Sequence, residues 1–327
     1  MSRDLIFERG IGENRAALIE QGRIAELHIE RGIGLLAGAV HKARLTTILV
    51  PGQRGIIFID DVEALLEPLP RGISQGASLF VEIVREAIPE IGRPRLAKAV
   101  PSHAMAESAA PTLIERLGSG RVLHAHQPDS LEIAGWSEAL EEARSGVIPF
   151  DSGTLAVAVT PAMTLIDIDG ELPAAELACA GAEAAARAIR RHSIGGSIGI
   201  DFPTCRDKGE RQRIAAIIDQ FLPQPFERTA VNGFGFLQIV RRRTKASTFE
   251  LIQGAPVESA ALALLRRAER EHGAGARTVH AAPTIIAWLE ARPNLIAELA
   301  RRSGVHIQLK ADPSLAIIAG YVHHMTH

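Results

Sequence analysis

The chain has 327 residues, 46% hydrophobic and 23% charged, with a formal net charge of −2 at pH 7. That length exceeds what one core usually fills and predicts two to four compact units, and the composition is that of a folded globular protein. The charge excludes a protein coated in positive charge, so any nucleic acid must be met through local patches.

Two cysteines, Cys179 and Cys205, make neither a disulfide framework nor a zinc site by themselves. No apolar run approaches the roughly 20 residues of a bilayer span. The opening residues, Met1-Ser2-Arg3-Asp4, lack the apolar stretch of a secretory signal. A reduced, cytoplasmic setting without membrane contact is expected.

In chain order, residues 4–8, 15–19 and 23–29 are β-prone runs split by Gly10, Gly12 and Gly22, which predicts a short meander. Short strands over 45–50, 55–59 and 78–85, separated by Pro51-Gly52 and by residues 68–76, suit a small barrel. Residues 112–117 and 130–145 read as helices. In the second, Asp129 stands at the N-cap and Leu131, Ala134 and Leu140 form an apolar stripe. Residues 121–126 make a candidate strand between them.

Residues 155–159 and 163–169 predict a hairpin around Thr160-Pro161-Ala162. An alanine-rich helix over 171–192, a strand over 195–202, a helix over 209–222 and a strand over 234–240 follow. The turn-rich stretch 244–256 reads as a boundary. Beyond it lies an α/β unit: a helix over 257–272, a strand over 278–282, helices within 283–303, and strands over 305–310 and 316–322.

The chemistry gathers around the 171–192 helix. The strand before it ends Ile166-Asp167-Ile168-Asp169, and the strand after it ends Ile200-Asp201. A strand–helix–strand crossover brings the second strand in parallel beside the first, so both carboxyl ends share one edge. Side chains alternate, so Asp167 and Asp169 lie on one face. Asp167 and Asp201 then sit close together, at a cost in repulsion that a cation removes. Mg²⁺ suits such oxygens. The bland alternative is that strand-end aspartates cap the next helix or face water.

Arg241-Arg242-Arg243-Thr244-Lys245 is the local basic patch, read either as phosphate contacts or as solvated charge. Arg187, Arg190 and Arg191 are expected on a solvated helix face near its C-terminus, where cations suit the dipole. His323, His324 and His327 read as a frayed tail. Cys205 has no evident partner histidine and is not taken as a nucleophile.

These residues resemble the ribonuclease E/G endoribonucleases of bacteria. The resemblance rests on Leu165 to Asp169, Glu183-Ala184-Ala185, Gly195-Gly196 through Ile200-Asp201-Phe202, Arg211-Gln212-Arg213, and Phe234-Gly235-Phe236-Leu237 through Arg241. The order of elements extends it over the whole chain, with the strongest likeness between residues 152 and 243.

It implies an α+β protein with five segments. Residues 1–33 and 102–142 would form an RNase H-like scaffold, 34–101 an inserted OB-type RNA-binding barrel, 143–245 a DNase I-like catalytic domain, and 246–327 a small α/β domain for oligomer contacts. Asp167 and Asp201 would be catalytic and hold Mg²⁺, with Asp169 as a further metal ligand. Water activated there would hydrolyse single-stranded RNA to 5′-phosphate and 3′-hydroxyl ends. Phe58 falls where the family stacks a base; an ordinary core phenylalanine is the alternative. Arg241, Arg242 and Arg243 would contact RNA.

The chain also departs from the pattern. Asp169 replaces the family's asparagine, Thr204 replaces an aspartate, and the second barrel aromatic falls near Leu66. The segment that senses an RNA 5′-monophosphate is missing, so internal cleavage with little regard for the 5′ end is implied. The family's Cys-Pro-x-Cys zinc link is absent from residues 244–256, so a dimer or tetramer would form without zinc. A non-catalytic RNA-binding protein with a degenerate version of this fold is the second reading.

Overall fold

The computed structural model describes residues 3–32, 34–90, 92, 94–205, 207–271, 273 and 275–324. Three antiparallel strands open it: β1 (Arg3–Arg9), β2 (Glu13–Glu20) and β3 (Arg23–Arg31). Five strands then close into a barrel: β4 (Val40–Val50), β5 (Arg54–Ile59), β6 (Val62–Leu66), β7 (Ser78–Arg85) and β8 (Ala97–Pro101), in the order β4-β5-β6-β8-β7. Closure leaves no free sheet edge. Leu45, Ile57, Ile59, Leu66, Val81 and Ile83 fill the interior.

The chain returns through α1 (Leu113–Leu117) to β9 (Arg121–Leu123), which pairs in parallel with β1 and completes the sheet β3-β2-β1-β9. The helix predicted over 130–145 is two helices, α2 (Ser130–Ile133) and α3 (Trp136–Ser145). The break falls at Gly135, whose φ of +100° only glycine adopts readily. Asp129 caps α2 by accepting from the amides of Leu131 and Glu132. Ile6, Leu27, Leu123, Leu131 and Trp136 share one core, so this helical pair belongs to the N-terminal sheet.

The central unit is built from β10 (Val147–Phe150), β11 (Gly153–Val159), β12 (Thr164–Gly170), α4 (Ala174–Arg191), β13 (Gly196–Asp201), α5 (Lys208–Phe221), β14 (Glu227–Arg228) and β15 (Phe236–Arg241). Its sheet runs β10-β11-β12-β13-β15-β14, and only β12 and β13 are parallel. Helices α4 and α5 cover one face, over Ile166, Ile168, Ile198, Ile200, Leu237 and Ile239. On the other face Ala156, Ala158, Leu165, Asp167 and Asp169 are exposed.

The stretch read as turn-rich, 244–256, holds a buried helix, α6 (Thr248–Gly254). Its signal was a capping box: Ser247 accepts from the Glu250 amide, and the Glu250 carboxylate accepts from the Ser247 amide. α7 (Pro256–Arg270), β16 (Arg277–Ala281), α8 (Pro283–Glu290), α9 (Pro293–Ser303), β17 (Ile307–Ala311) and β18 (Tyr321–His324) complete the chain, with a sheet ordered β17-β16-β18. His323 and His324 are therefore paired strand residues, opposite Thr278 and Arg277, and not a frayed tail. His327 lies outside the described residues. Among the described residues no helix is long and apolar enough to cross a membrane.

Ion pairs join the units. Arg15, 1% exposed, meets Glu8 and Asp129 and stacks 4.9 Å from the Trp136 ring centre. Arg270 of α7 reaches the same Glu8 and Asp129. Arg190 and Arg191 do not lie on a solvated face: Arg190 grips Glu20 and Glu26 of the N-terminal sheet, and Arg191 pairs with Glu142 of α3. Arg187 pairs within its own helix, with Glu183, and its guanidinium lies 5.0 Å from the ring centre of Phe221 on α5.

Two consequences are measurable. A Cβ on Gly181 of α4 would stand 2.6 Å from Ile168 Cγ2 on β12. Gly181→Ala therefore forces helix and strand apart, with overpacking of ~1–3 kcal/mol set against ~1 kcal/mol of gained helix propensity. A net loss of stability in denaturant unfolding is expected, where an unstrained helix glycine would give a gain.

The Glu26 carboxyl is held down to about 2 by the neighbouring His28 imidazole, against the cost of burial, and by Arg190. The Arg190 contact, at 2.8 Å, is shorter and better aligned than the His28 contact at 3.4 Å. A carboxyl with a depressed folded-state pKa stabilises the fold above its ordinary value of 4.5, and that stability is lost as pH falls from there toward 2. Acid unfolding of the wild type should lose up to ~3 kcal/mol across that window, and Glu26→Gln should flatten that part of the profile.

Candidate functional site

The parallel register sets Asp167 directly opposite Asp201, on strands ~4.8 Å apart. Both are exposed, as is Asp169 two residues further along the same face of β12. β13 ends at Asp201 while β12 runs on to Gly170, so Asp169 lies beyond the last β12–β13 pair and faces Thr154 of β11 instead. Asp167 Oδ1 accepts from the Ile168 amide (3.0 Å) and Asp169 Oδ1 from the Gly170 amide (2.9 Å). One oxygen of each is thus turned back onto its own backbone.

Among the described residues no group of three or more His, Cys, Asp or Glu side chains is gathered closely enough to hold a metal ion. Asp167 and Asp201 nevertheless suit Mg²⁺, which is commonly held by one or two carboxylates and completes its shell with water and substrate oxygens. Helices α4 and α5 both start where β12 and β13 end, so their N-termini, the positive ends of their dipoles, lie at the same rim. Asp207 already caps α5 through the Glu210 amide.

A loop built by one asparagine closes the other side of the rim. Asn232 Oδ1 accepts from the amides of Phe234 and Phe236, and Gly235, at φ +92°, brings its backbone against Phe202, whose amide donates to its carbonyl. A Cβ on Gly235 would lie 2.4 Å from the Phe202 oxygen. This turn holds Phe234 85% exposed, two residues from the partner of Asp201. It leaves a large apolar ring exposed beside two carboxylates. Its local sequence, Asn-Gly-Phe-Gly-Phe, was the signal for a tight, ring-presenting turn.

Phe58 is not a core residue. It stands outside the barrel between the inward-facing Ile57 and Ile59, opposite Arg44 on β4 and Glu63 on β6. On the other side of β4, Phe80 of β7 stands opposite Lys42. The outer face thus interleaves Phe80, Lys42, Arg44 and Phe58, with the two rings roughly 12 Å apart from strand spacings. Leu66 points inward and is fully buried, so the second ring of this face is Phe80. The alternation Lys42-Ala43-Arg44 and Phe80-Val81 shows which residues face out, but only barrel closure makes β4 and β7 neighbours.

Arg241, Arg242 and Arg243 are not brought to the aspartates. Arg241 pairs with Gly196, at the opposite end of β13 from Asp201, five residues or roughly 17 Å away. Arg241 donates to the carbonyls of Ile189 and Ile194, Arg243 pairs with Glu250, and Arg242 is exposed. Cys205 is buried, and burial pushes its thiol up, away from nucleophilic reactivity. Compared with known proteins, the chain matches no protein-family model and no curated protein.

Proposed function

We propose that the chain is a Mg²⁺-dependent endoribonuclease of the ribonuclease E/G type, cutting single-stranded RNA to 5′-phosphate and 3′-hydroxyl ends. The observation that carries this reading is the pairing of Asp167 with Asp201 at the adjoining carboxyl ends of two parallel strands. Asp167 and Asp201 would hold the ion, with Asp169 alongside. When bound, Mg²⁺ supplies charge neutralisation at the phosphate and activation of water.

The protein's own groups do the rest. The paired carboxylates would set the position of the ion at the rim, the N-termini of α4 and α5 favour the negative charge of a phosphodiester there, and Phe234 offers a face to an unpaired base. Phe58 and Phe80, between Arg44 and Lys42, form a stacking platform with cations for the backbone, a combination that takes single strands without sequence preference. In this reading the closed barrel is OB-type, the N-terminal sheet with α2 and α3 is RNase H-like, and the central sheet is DNase I-like. The C-terminal unit would support a zinc-free dimer or tetramer.

Labelled single-stranded oligonucleotide incubated with Mg²⁺ or Mn²⁺ tests the chemistry. Internal cleavage with 5′-phosphate products is expected, lost on chelation and reduced by about 10²-fold or more in Asp167→Asn or Asp201→Asn, while RNA affinity persists in both. A wild type that never cuts RNA with either ion would leave only binding. That second reading draws on the carboxylates of Asp167 and Asp169 turning toward their own backbone.

The platform is tested separately. Stacking is worth about 1–3 kcal/mol per base, so Phe58→Ala and Phe80→Ala should each weaken oligonucleotide binding roughly 5- to 150-fold. Leu79→Ala, on the inner side of the same strand, is the comparison. Unchanged affinity in both phenylalanine variants would remove the barrel from the RNA path.

A further inference from the structure

A concentration of cationic side chains lies away from the aspartate rim, around a cavity of about 370 Å³. Its walls come from β3, α1, the C-terminal end of α4, and the chain leaving β15. Among the described residues six Lys and Arg side chains and His28 line it, and Glu26 is the only acidic one. Three of the six are already matched: Arg116 by Glu30, Arg190 by Glu20 and Glu26, and Arg243 by Glu250. Arg190 also neutralises the lone acidic wall residue.

Among the described residues three of these cations remain without a carboxylate in contact. Arg241 reaches only backbone carbonyls. Arg242 is exposed at the mouth, and among the described residues it has no ion pair. Lys245 is the most telling. Among the described residues its ammonium has neither a hydrogen bond nor an ion pair, and the carboxylates of Glu86 and Glu30 act on it only from a distance, against Arg116. The residue is partly open by surface area yet enclosed by protein, as a side chain on a cavity wall is. Loss of hydration pushes its ammonium down to about 8, so it still carries its charge at neutral pH. A charge buried without a partner is costly unless something supplies one.

We infer that this cavity binds a small phosphate-bearing anion, with Lys245, Arg241 and Arg242 as its ligands. Phosphate offers several acceptor oxygens, which suit the forked guanidinium of an arginine and the point charge of a lysine. The volume is in the range of small-molecule sites and exceeds what a bare phosphate needs, leaving room for a nucleoside. The site stands independently of RNA cleavage, because it lies at the far end of β13 from Asp201.

Thermal unfolding of the full chain with inorganic phosphate, with adenosine 5′-monophosphate, and with chloride at matched ionic strength tests the inference. Phosphate should raise the Tm where chloride does not, and a further rise with the nucleotide would assign the spare volume to a nucleoside. Lys245→Met should abolish the phosphate response while leaving the ligand-free Tm equal or higher, since it removes an unpaired buried charge. Arg242→Ser, on an exposed side chain, should weaken phosphate at least threefold and carries the test if Lys245→Met does not fold. Asp201→Asn should keep the full response, which separates this site from the proposed nuclease site. Equal stabilisation by chloride, a wild-type response in both cavity variants, or loss of the response in Asp201→Asn would overturn it.

Discussion

The close approach of α4 to the sheet governs the geometry of the aspartate rim. Along its buried face α4 presents Ala178, Gly181, Ala182, Ala185 and Ala186, residues small enough to let the helix axis lie low on β12 and β13. Gly181 sits against Ile168, the residue between the two aspartates of β12. A helix that approaches this closely can return the chain in a right-handed crossover to the neighbouring strand position, and it does so with Ile166 level with Ile200. Because the side-chain period of a strand is two, fixing those isoleucines inward fixes Asp167 and Asp201 outward at the same level. The carboxylates owe their juxtaposition to alanines and a glycine on the far side of the sheet.

Electrostatics explains why overall charge says so little about this molecule. With 36 basic and 38 acidic residues, many arginines serve as joints. Arg15 and Arg270 share Glu8 and Asp129 where the N-terminal sheet meets α7, and Arg190 and Arg191 fasten α4 to the sheet and to α3. Removing one member of such a buried set leaves the others uncompensated, which is why these joints hold relative orientation so firmly. Among the described residues, the cations without an ion pair include Lys42 and Arg44 beside the barrel rings, and Arg241, Arg242 and Lys245 at the cavity.

Much of the central unit was legible from sequence because its signals are local. Alternation in 164–169 and 196–201 and the alanine-rich run between them dictate a parallel pair with aspartates at its end. The barrel was legible only in part. β6 and β8 are five residues each and pair in parallel with each other, a contact no local pattern announces. Phe80 escaped notice because its neighbour across the sheet, Lys42, is 38 positions earlier in sequence. The solvated face assigned to Arg190 failed for the same reason, since Glu20 is 170 positions away. α6 and the break at Gly135 are different. Their signals, a capping box and an interior glycine, were local and were overlooked.

The third carboxylate shows how strand length sets chemistry. Had β13 run two residues further, Asp169 would have had a partner across it and joined the other two in one row. Instead the chain leaves the sheet after Asp201, and the Phe202 amide is taken by Gly235, so the rim opens just where Asp169 stands. Asp167 and Asp201 are thereby a pair, and Asp169 is an outlying charge next to the start of α4. In the proposed reading, two carboxylates ~4.8 Å apart in backbone position would leave most of a small cation's coordination shell to water and other oxygens. A third at the edge adds field without closing that shell. An arrangement of this kind favours a ligand that brings its own oxygens, as a phosphodiester does, over a metal held for structure alone.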